Sequence, residues 1–257
     1  MISKNNLVLH KGMSQKFRII IGDIVNCILS LRKFRSTNVL RILKSLCSGS
    51  KRFSQLKAET QLNDAVLLHY LRKLLDYGIV QHETKGIYAL KFRTPICYLF
   101  ALTISHVYIG FLGLRQGRDI PEPVIALDLL ERVGIRITKN YVFTTSDALA
   151  TWEDYELSDF NVKILKKSDL LDISVMERKI EQVLVEEAKK NLLIMDCTSL
   201  TKTATIAMYN LARKYCIPLI YVYEGTKELV WLIDIETVKN EVISRIIESK
   251  KSGRETQ

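Results

Sequence analysis

Residues 192–223, LLIMDCTSLTKTATIAMYNLARKYCIPLIYVY, contain an apolar run, a hydroxyl-rich turn, a helical pattern and a second apolar run. The run Leu192–Cys197 is short and apolar and is followed by polar residues, which is typical of a buried strand. Apolar residues recur at helical spacing over Thr201–Tyr215, and Leu219–Glu224 has the pattern of a second strand. The order strand, helix, strand predicts a parallel sheet with helical connections.

The same alternation of strand and helix extends over the chain from residue 106 onward. The predicted strands are Val107–Leu114, Ile135–Thr144, Val162–Lys166, Leu192–Cys197, Leu219–Glu224 and Leu229–Ile233. The predicted helices are Pro123–Arg132, Ser174–Lys190, Thr201–Tyr215 and a closing helix at Ile235–Glu248. This pattern indicates an α/β fold, in which residues 106–257 form a Rossmann-like domain with a mainly parallel sheet and helices on both faces.

Five hydroxyl side chains and one lysine follow the predicted strand Leu192–Cys197. In parallel sheets, ligands bind beyond the carboxyl ends of the strands, where helix N-termini offer unpaired N–H groups and a positive dipole end. Hydroxyl groups bind phosphate oxygens without adding negative charge, and a lysine pairs with phosphate as a point charge. This turn therefore predicts an anion site, with simple helix capping as the alternative. The candidate residues here are Asp196, Thr198, Ser199, Thr201 and Lys202.

A second candidate loop, Gly113-Leu-Arg-Gln-Gly-Arg-Asp119, follows the first predicted strand of the sheet. It supplies two arginines and two glycines at the same predicted edge. Its candidate ligand residues are Gly113, Leu114, Arg115, Gln116 and Arg118. The chain contains neither G-x-G-x-x-G after this strand nor G-x-x-x-x-G-K-[ST], so a dinucleotide cofactor or a P-loop is not indicated. We expect no cofactor.

The positive charge of the chain is concentrated before residue 106. Residues 1–105 contain 17 Lys and Arg against 5 Asp and Glu, whereas residues 106–257 contain 21 against 23. Such asymmetry favours a polyanion-binding module joined to a nearly neutral one, although a solvated basic surface would give the same count. We therefore expect two domains, residues 1–105 and residues 106–257.

Within the basic part, apolar spacing predicts three helices followed by a β-ribbon. The helices are Thr37–Leu46, a second one capped by Ser54, and a third from near Asn63 to Gly78. The strands are Ile79–Glu83 and Ile87–Leu90, with Gly86 in the turn between them. A further apolar segment at 17–31 is compatible with a strand and helix or with one long helix.

This order of elements over residues 36–92 resembles the winged helix-turn-helix domain of archaeal and bacterial transcription regulators. The resemblance implies that the third helix enters the major groove of double-stranded DNA and that the ribbon contacts the backbone. It implies DNA contacts from Lys51, Arg52, Asn63, His69, Arg72, Lys73 and Lys85, and core positions for Leu68, Leu71, Leu74 and Leu75. Winged domains also serve as dimerisation or docking modules, so a role without DNA stays open.

Compartment and metal content follow from the cysteines and the termini. The five cysteines, Cys27, Cys47, Cys97, Cys197 and Cys216, are scattered and form no C-x-x-C pair. We expect reduced thiols, no metal site and a cytoplasmic protein without a signal peptide.

Residues 94–114 carry no formal charge and are long enough to span a bilayer, but Pro95, Gly110 and Gly113 interrupt them. A linker followed by a buried strand is the favoured interpretation, without contact to a membrane.

Residues 192–223 resemble a CARF domain, the CRISPR-associated Rossmann-fold sensor of cyclic oligoadenylates. In that family a strand ends in aspartate and threonine, two glycines follow, and a Thr-Lys pair opens the next helix. Here the matching residues are Asp196, Thr198, Thr201, Lys202, Ile217 and Pro218, while Ser199 and Leu200 stand where the glycines would be. The resemblance covers roughly residues 106–233.

This second resemblance implies a homodimer whose paired sites bind cyclic tetra-adenylate. Joined to a winged helix, it is similar to archaeal CRISPR-associated regulators in antiviral defence, although in those the CARF domain usually comes first. The leading hypothesis is a regulator whose ligand repositions two winged helices. One alternative is a metal-independent ring nuclease, in which Lys202 stabilises charge and Ser199 or Thr198 orients the phosphate. The other is a domain that binds a different phosphorylated metabolite.

Overall fold

A computed structural model describes residues 37–100, 104–223 and 225–247. The helices are α1 (Thr37–Cys47), α2 (Phe53–Thr60), α3 (Asp64–Asp76), α4 (Glu122–Arg132), α5 (Ser146–Ala150), α6 (Ile173–Glu187), α7 (Lys202–Tyr215) and α8 (Ile235–Ile247). The strands are β1 (Lys51–Arg52), β2 (Val80–Thr84), β3 (Ile87–Leu90), β4 (His106–Phe111), β5 (Ile137–Thr145), β6 (Phe160–Leu165), β7 (Leu192–Asp196), β8 (Leu219–Tyr223) and β9 (Glu228–Ile233). Short 3₁₀ turns occupy Ile96–Leu99 and Lys167–Leu171. The apolar segment at 17–31 lies outside the described residues.

The N-terminal part is a helix-turn-helix followed by a β-ribbon, as its spacing predicts, and a third strand, β1, which was not predicted, widens the ribbon to a three-stranded wing. Helices α1, α2 and α3 are followed by the hairpin β2–β3, and β1 pairs with the other edge of β3. Asn63 caps α3 by accepting a hydrogen bond from the Val66 N–H at 2.9 Å. Ser54 was expected to cap α2, but it lies inside that helix, which begins after Arg52. There the Arg52 N–H donates to the side chain of Gln55.

The core face of α3 is rotated relative to the predicted one. Leu67, Leu71 and Leu74 are fully buried, whereas Leu68 is 36% exposed and Leu75 is half-buried. Positions 67, 71 and 74 share one face of a helix that starts at Asp64, and residue 68 lies about 100° further around the axis. The prediction that Leu68 is a core residue is therefore wrong, and this side chain belongs to the exposed surface.

The C-terminal part contains a six-stranded sheet in the order β6-β5-β4-β7-β8-β9. All neighbouring strands are parallel except the antiparallel pair β8 and β9. The chain runs outward from β4 to β6 and then returns to β7 on the other side of β4. Pairing of β4 with β7 ends at Ile109 and Met195, so the following loops separate at this point. The mainly parallel α/β sheet is confirmed, and this reversal is where such folds bind ligands.

Side chains of the sheet alternate between two apolar layers that helices cover. Val107 and Ile109 face a cluster that includes residues of α6 and α7, while Tyr108 and Leu112 face one that includes residues of α4. Helices on both faces are thus confirmed. The sequence patterns did not predict α5, β1 or the two 3₁₀ turns, because a helical segment of 4 or 5 residues makes little more than one turn and a strand of 2 residues shows no alternation.

The uncharged run becomes a junction followed by a buried strand. The Tyr98 hydroxyl donates to the Leu193 carbonyl at 2.6 Å, and the Thr94 hydroxyl donates to the Asn191 carbonyl at 2.7 Å. The thiol of Cys97 lies against that of Cys47, the last residue of α1. These contacts join the helix-turn-helix to the start of β7. None of the helices in the described ranges is long and apolar enough to cross a membrane.

Candidate functional site

A cavity of about 500 Å³ lies beyond the carboxyl ends of β4, β5 and β7, and we refer to it as the sheet-edge cavity. Its walls are the loop after β4, the start of α5, the 3₁₀ turn at Lys167–Leu171 and the loop after β7. It is lined by Phe111, Leu112, Gly113, Leu114, Gln116, Arg118, Glu122, Thr144, Thr145, Asp147, Ala148, Lys167, Leu170, Thr198, Ser199, Leu200 and Thr201. The two loops predicted from the sequence are therefore brought together.

Asp196 ends β7 and holds the following loop from inside the protein. Its carboxylate is 2% exposed and accepts hydrogen bonds from the Tyr108 hydroxyl at 2.5 Å and from the Thr198 N–H at 2.9 Å. Tyr108 lies against Gly110, where a side chain would occupy the place of its ring. Burial raises the pKa of Asp196, and its hydrogen bonds with Thr198 and Tyr108 act in the opposite direction. This carboxylate fixes the loop and does not line the cavity.

Four of the five hydroxyl groups in the turn are engaged by the protein itself. The Thr198 hydroxyl donates to Asp196 and accepts from the Val222 N–H at 2.8 Å, which ties β7 to β8. Thr201 caps α7, since its hydroxyl accepts from the Ala204 N–H at 3.3 Å. The remaining two donate to carbonyls: Thr203 to that of Leu170, and Thr205 to that of Thr201. For these four threonines, loop fixation and capping account for the hydroxyls.

Ser199 and Lys202 differ from these threonines. The Ser199 hydroxyl is buried, belongs to a residue that lines the cavity, and has no hydrogen-bond partner among the described residues. Lys202 is exposed at the first position of α7, directly after the cavity residue Thr201, and pairs with no carboxylate in the described ranges. The N–H groups of the first turn of a helix lack intrahelical partners, and this lysine lies in that turn. Lys202 and these N–H groups suit an anion at the cavity rim, and the Ser199 hydroxyl is available to a ligand inside the cavity.

The loop after β4 contributes to the cavity with four of its five predicted residues. Gly113, Leu114, Gln116 and Arg118 line it, whereas Arg115 does not. The guanidinium of Arg115 pairs with Asp154 at 2.5 Å and lies 5.2 Å from the centre of the Trp152 ring. This hydrogen bond raises the pKa of Arg115 and lowers that of Asp154. In this structure Arg115 is therefore turned away from the predicted site.

Several cavity residues were not predicted from the sequence. Glu122, Thr144, Thr145, Asp147 and Lys167 come from α4, β5, α5 and the 3₁₀ turn. Glu122 had the appearance of an ordinary acidic residue in the first turn of a helix, and no motif distinguished it. His106 is the first residue of β4 and lies at the amino end of that strand, away from the cavity. Burial lowers its pKa to about 4. Among the described residues no acidic, histidine and cysteine cluster could hold a metal ion.

The candidate DNA surface is the exposed side of α3 together with the wing turn. His69, Arg72 and Lys73 are exposed on α3, and Lys85 is exposed in the turn between β2 and β3. Arg72, Lys73 and Lys85 form no ion pair within the residues that the structure describes. Leu68 adds an apolar contact to the same face. We call this set of five residues the α3–wing surface.

Of the other predicted DNA contacts, Lys51 and Asn63 have roles inside the domain. Lys51 pairs with Glu59 at 2.7 Å, and Glu59 also accepts from the Ser45 hydroxyl at 2.7 Å. These hydrogen bonds lower the pKa of Glu59. The side-chain oxygen of Asn63 is used as the α3 cap, which leaves its amide N–H groups available. Arg52 is exposed just before α2.

Together these features define a helix-turn-helix protein that also carries a Rossmann-like domain with a cavity at its switch point. Residues 36–82 match the family model described as bacterial regulatory protein, arsR family. That match confirms the helix-turn-helix assignment for this part of the chain. A comparison with curated proteins finds no match.

Two solved structures are similar to part of the chain. One is Can2 from Sulfobacillus thermosulfidooxidans in complex with cyclic tetra-adenylate, at 13% identity and a TM-score of 0.36, covering 49% of this chain and 34% of that one. The other is Enterococcus italicus Csm6 bound to cyclic hexa-2'-fluoro-hexa-dAMP, at 13% identity and a TM-score of 0.39, covering 58% of this chain and 41% of that one. This chain therefore spans less than half the length of either structure.

Proposed function

We propose that this protein is a DNA-binding regulator in CRISPR defence that responds to cyclic tetra-adenylate bound in the sheet-edge cavity. The observation that carries this proposal is the Ser199 hydroxyl. It is buried, it belongs to a residue that lines the cavity, and it has no hydrogen-bond partner in the described part of the chain. Buried polar groups normally have hydrogen-bond partners, so an unsatisfied one in a cavity lining favours a ligand that supplies the partner. The resemblance of Asp196, Thr198, Thr201 and Lys202 to a CARF turn supports a cyclic oligoadenylate as that ligand.

In this proposal a phosphate of the ring occupies the rim of the cavity at the start of α7. Lys202 supplies a cation without a carboxylate partner among the described residues, and the helix N-terminus supplies N–H groups and a positive dipole end. Asp196 and Thr198 act one step further away, because they hold the loop that carries Ser199. Gly113, Leu114, Gln116 and Arg118 form the facing wall.

The DNA part of the proposal rests on the α3–wing surface. Its cations are exposed and unpaired among the described residues, which is what phosphate contacts require. In a twofold homodimer, two such surfaces face two half-sites of DNA, and two cavities face one ring of matching symmetry. The ligand then acts by favouring one arrangement of the two winged helices.

The ring nuclease is the second candidate function, and the same two residues favour it. Ser199 has a hydroxyl free to orient a phosphate, and Lys202 is a free cation for the charge that develops during cleavage. Cleavage without metal forms a bond between the ribose 2′-oxygen and the adjacent phosphorus and breaks the bond from that phosphorus to the 5′-oxygen. The 2′-hydroxyl loses its proton and the leaving 5′-oxygen gains one, so the linear product has a 2′,3′-cyclic phosphate and a 5′-hydroxyl. The two candidates bind the same ligand and differ in whether the ring survives.

Incubation of the full chain with labelled cyclic tetra-adenylate and a metal chelator separates these functions. Binding and linear products are measured on the same samples for the wild type, for Lys202→Ala and for Lys190→Ala. Lys190 is the matched control. It is an exposed lysine just before the amino end of β7, at the end of the strand opposite the cavity. Loss of a charge-assisted contact weakens binding by about ten- to a hundred-fold, so we expect this for Lys202→Ala and no change for Lys190→Ala.

An intact ring after hours with the wild type supports the regulator. Linear products from the wild type, with slower cleavage by Lys202→Ala at saturating ligand, support the ring nuclease. Absence of binding by a folded wild type would reject both functions. Equal binding by all three proteins would reject the assignment of Lys202 to the site.

A further inference from the structure

Glu122 is a buried carboxylate in the sheet-edge cavity that the α7 turn does not account for. It is the first residue of α4 and is 3% exposed. One oxygen, Oε1, lies 3.1 Å from Nη1 of Arg118. The other oxygen, Oε2, is buried and lacks a hydrogen-bond partner among the described residues. The cavity lining therefore contains two unsatisfied groups, the Ser199 hydroxyl and this oxygen.

The two side chains flank one glycine. A Cβ placed on Gly113 would lie 3.6 Å from Oε1 of Glu122 and 3.9 Å from Oγ of Ser199. The side chains of Glu122 and Ser199 thus lie on either side of the same point of the loop after β4, and Oε1, the oxygen measured here, is the one that pairs with Arg118. A ligand group that reaches this point lies beside the Glu122 carboxylate and the Ser199 hydroxyl, and Oε2 is the carboxylate oxygen still without a partner among the described residues.

The charges at this point determine which part of a nucleotide fits. A phosphate presents negative charge and hydrogen-bond acceptors, so it is disfavoured beside a carboxylate oxygen that has no donor. A group with N–H or O–H donors satisfies that oxygen and removes the cost of leaving it unpaired. The surrounding lining is largely apolar, with Phe111, Leu112, Leu170 and Leu200, which suits the flat face of a base.

We infer that Glu122 is the base-reading residue of the cavity: its Oε2 accepts a hydrogen bond from the 6-amino group of adenine, and the Ser199 hydroxyl contacts the same base edge. The base then lies at the floor of the cavity, and the phosphates stay at the rim beside Lys202. This inference rests on the proposed binding of cyclic tetra-adenylate. It adds a specificity that the α7 turn alone does not provide.

Exchange of the 6-amino group for an oxygen tests this inference. Affinities of the full chain are measured for cyclic tetra-adenylate and cyclic tetra-inosinate, with the wild type, Glu122→Gln and Glu131→Gln. Glu131 lies on the same helix, is exposed, and is the matched control. The wild type and Glu131→Gln are expected to prefer adenine by about ten- to a hundred-fold, because inosine presents an acceptor to an acceptor. Glu122→Gln can donate its amide N–H to that oxygen, so the preference is expected to shrink or reverse.

A second variant, Gly113→Ala, keeps the test independent of the charge change at residue 122. The added methyl would lie 3.4 Å from Cβ of Ser199, an ordinary contact, so thermal unfolding is expected to stay near that of the wild type. The methyl fills the point between the two polar groups and is expected to weaken binding of both rings.

Four results would overturn the inference, and the last of them would overturn the proposed function as well. Unchanged base preference in a folded Glu122→Gln would remove Glu122 from base reading. Full affinity of a folded Gly113→Ala would show that no ligand group reaches this point. If the wild type and Glu122→Gln differ on cyclic tetra-adenylate but not on its 2′-deoxy form, the carboxylate contacts ribose instead of the base. Failure of the folded wild type to bind either ring would overturn the proposed function as well.

Discussion

The α3–wing surface and the sheet-edge cavity use their charged side chains in opposite ways. On the surface, Arg72, Lys73 and Lys85 are exposed and have no carboxylate partner among the described residues. In the cavity, both lining cations are paired, Arg118 with Glu122 and Lys167 with Asp147. Free surface cations are suited to a polyanion of any sequence, whereas a cavity of paired charges recognises a ligand by its pattern of hydrogen bonds.

This difference predicts two kinds of response to salt. Contacts between cations and DNA phosphates release counterions, so binding weakens steeply as salt rises. A ligand held mainly by hydrogen bonds and apolar packing loses far less affinity under the same change, because only the contact of Lys202 at the rim is screened. The salt dependence of the wild type therefore distinguishes DNA binding from ligand binding before any residue is changed.

The largest expected effect concerns the α3–wing surface. Arg72→Ala combined with Lys73→Ala removes two free cations from one helix face. We expect duplex DNA binding to weaken by about one to two decades and the logarithmic salt slope to fall by up to about two. Fluorescence anisotropy with a labelled duplex over a series of salt concentrations measures both quantities.

Lys51→Ala serves as the control for that measurement, since Lys51 is held by Glu59 and not free. Its effect on the salt slope is expected to be smaller than that of Arg72→Ala and Lys73→Ala. A slope that stays unchanged in the double variant, with the fold intact, would remove α3 from the DNA interface. It would leave the wing domain as a docking or dimerisation module.

The smallest expected effect concerns Arg115, which the sequence placed in the ligand site. Its guanidinium is held by Asp154 and stacks near Trp152, outside the cavity lining. We expect Arg115→Ala to change the affinity for cyclic tetra-adenylate by less than about threefold, because its guanidinium lies outside the cavity lining and its exposed ion pair with Asp154 contributes little to the stability of the fold. Isothermal titration against the wild type measures this. A loss as large as that expected for Lys202→Ala would mean that Arg115 turns inward when the ligand binds.

Periodicity over long segments was enough to predict most of the fold. All six strands of the large sheet and its four long helices lie close to their expected positions, because strands of 5 to 9 residues and helices of 11 to 15 residues each give several repeats of their period. The order of strands in the sheet was not predicted. It depends on which edges meet in space, as in the pairing of β4 with both β5 and β7.

The candidate site was predicted less completely than the fold. The loops at 113–118 and 196–202 were identified because topology brings the carboxyl ends of parallel strands to one edge. The orientation of each side chain within those loops could not be predicted from the sequence. Thr198 and Arg115 are the examples, since their partners Val222 and Asp154 are distant along the chain. Glu122 was missed for the same reason, as only the folded chain brings it beside Gly113.

The central claim is that ligand binding in the cavity changes DNA binding by the winged helix. Strand β7 provides a physical connection, because Asp196 holds the ligand loop at one end and Leu193 accepts a hydrogen bond from Tyr98 of the junction near the other. Coupling between two sites typically changes affinity by about 5- to 150-fold.

The most direct test measures the affinity of the full chain for one labelled duplex, with and without saturating cyclic tetra-adenylate, at constant salt. A regulator is predicted to show a change of at least about fivefold in the wild type, and a smaller one in Lys202→Ala at the same ligand concentration. Identical DNA affinities in the presence and absence of ligand, from a protein that demonstrably binds both, would contradict the claim.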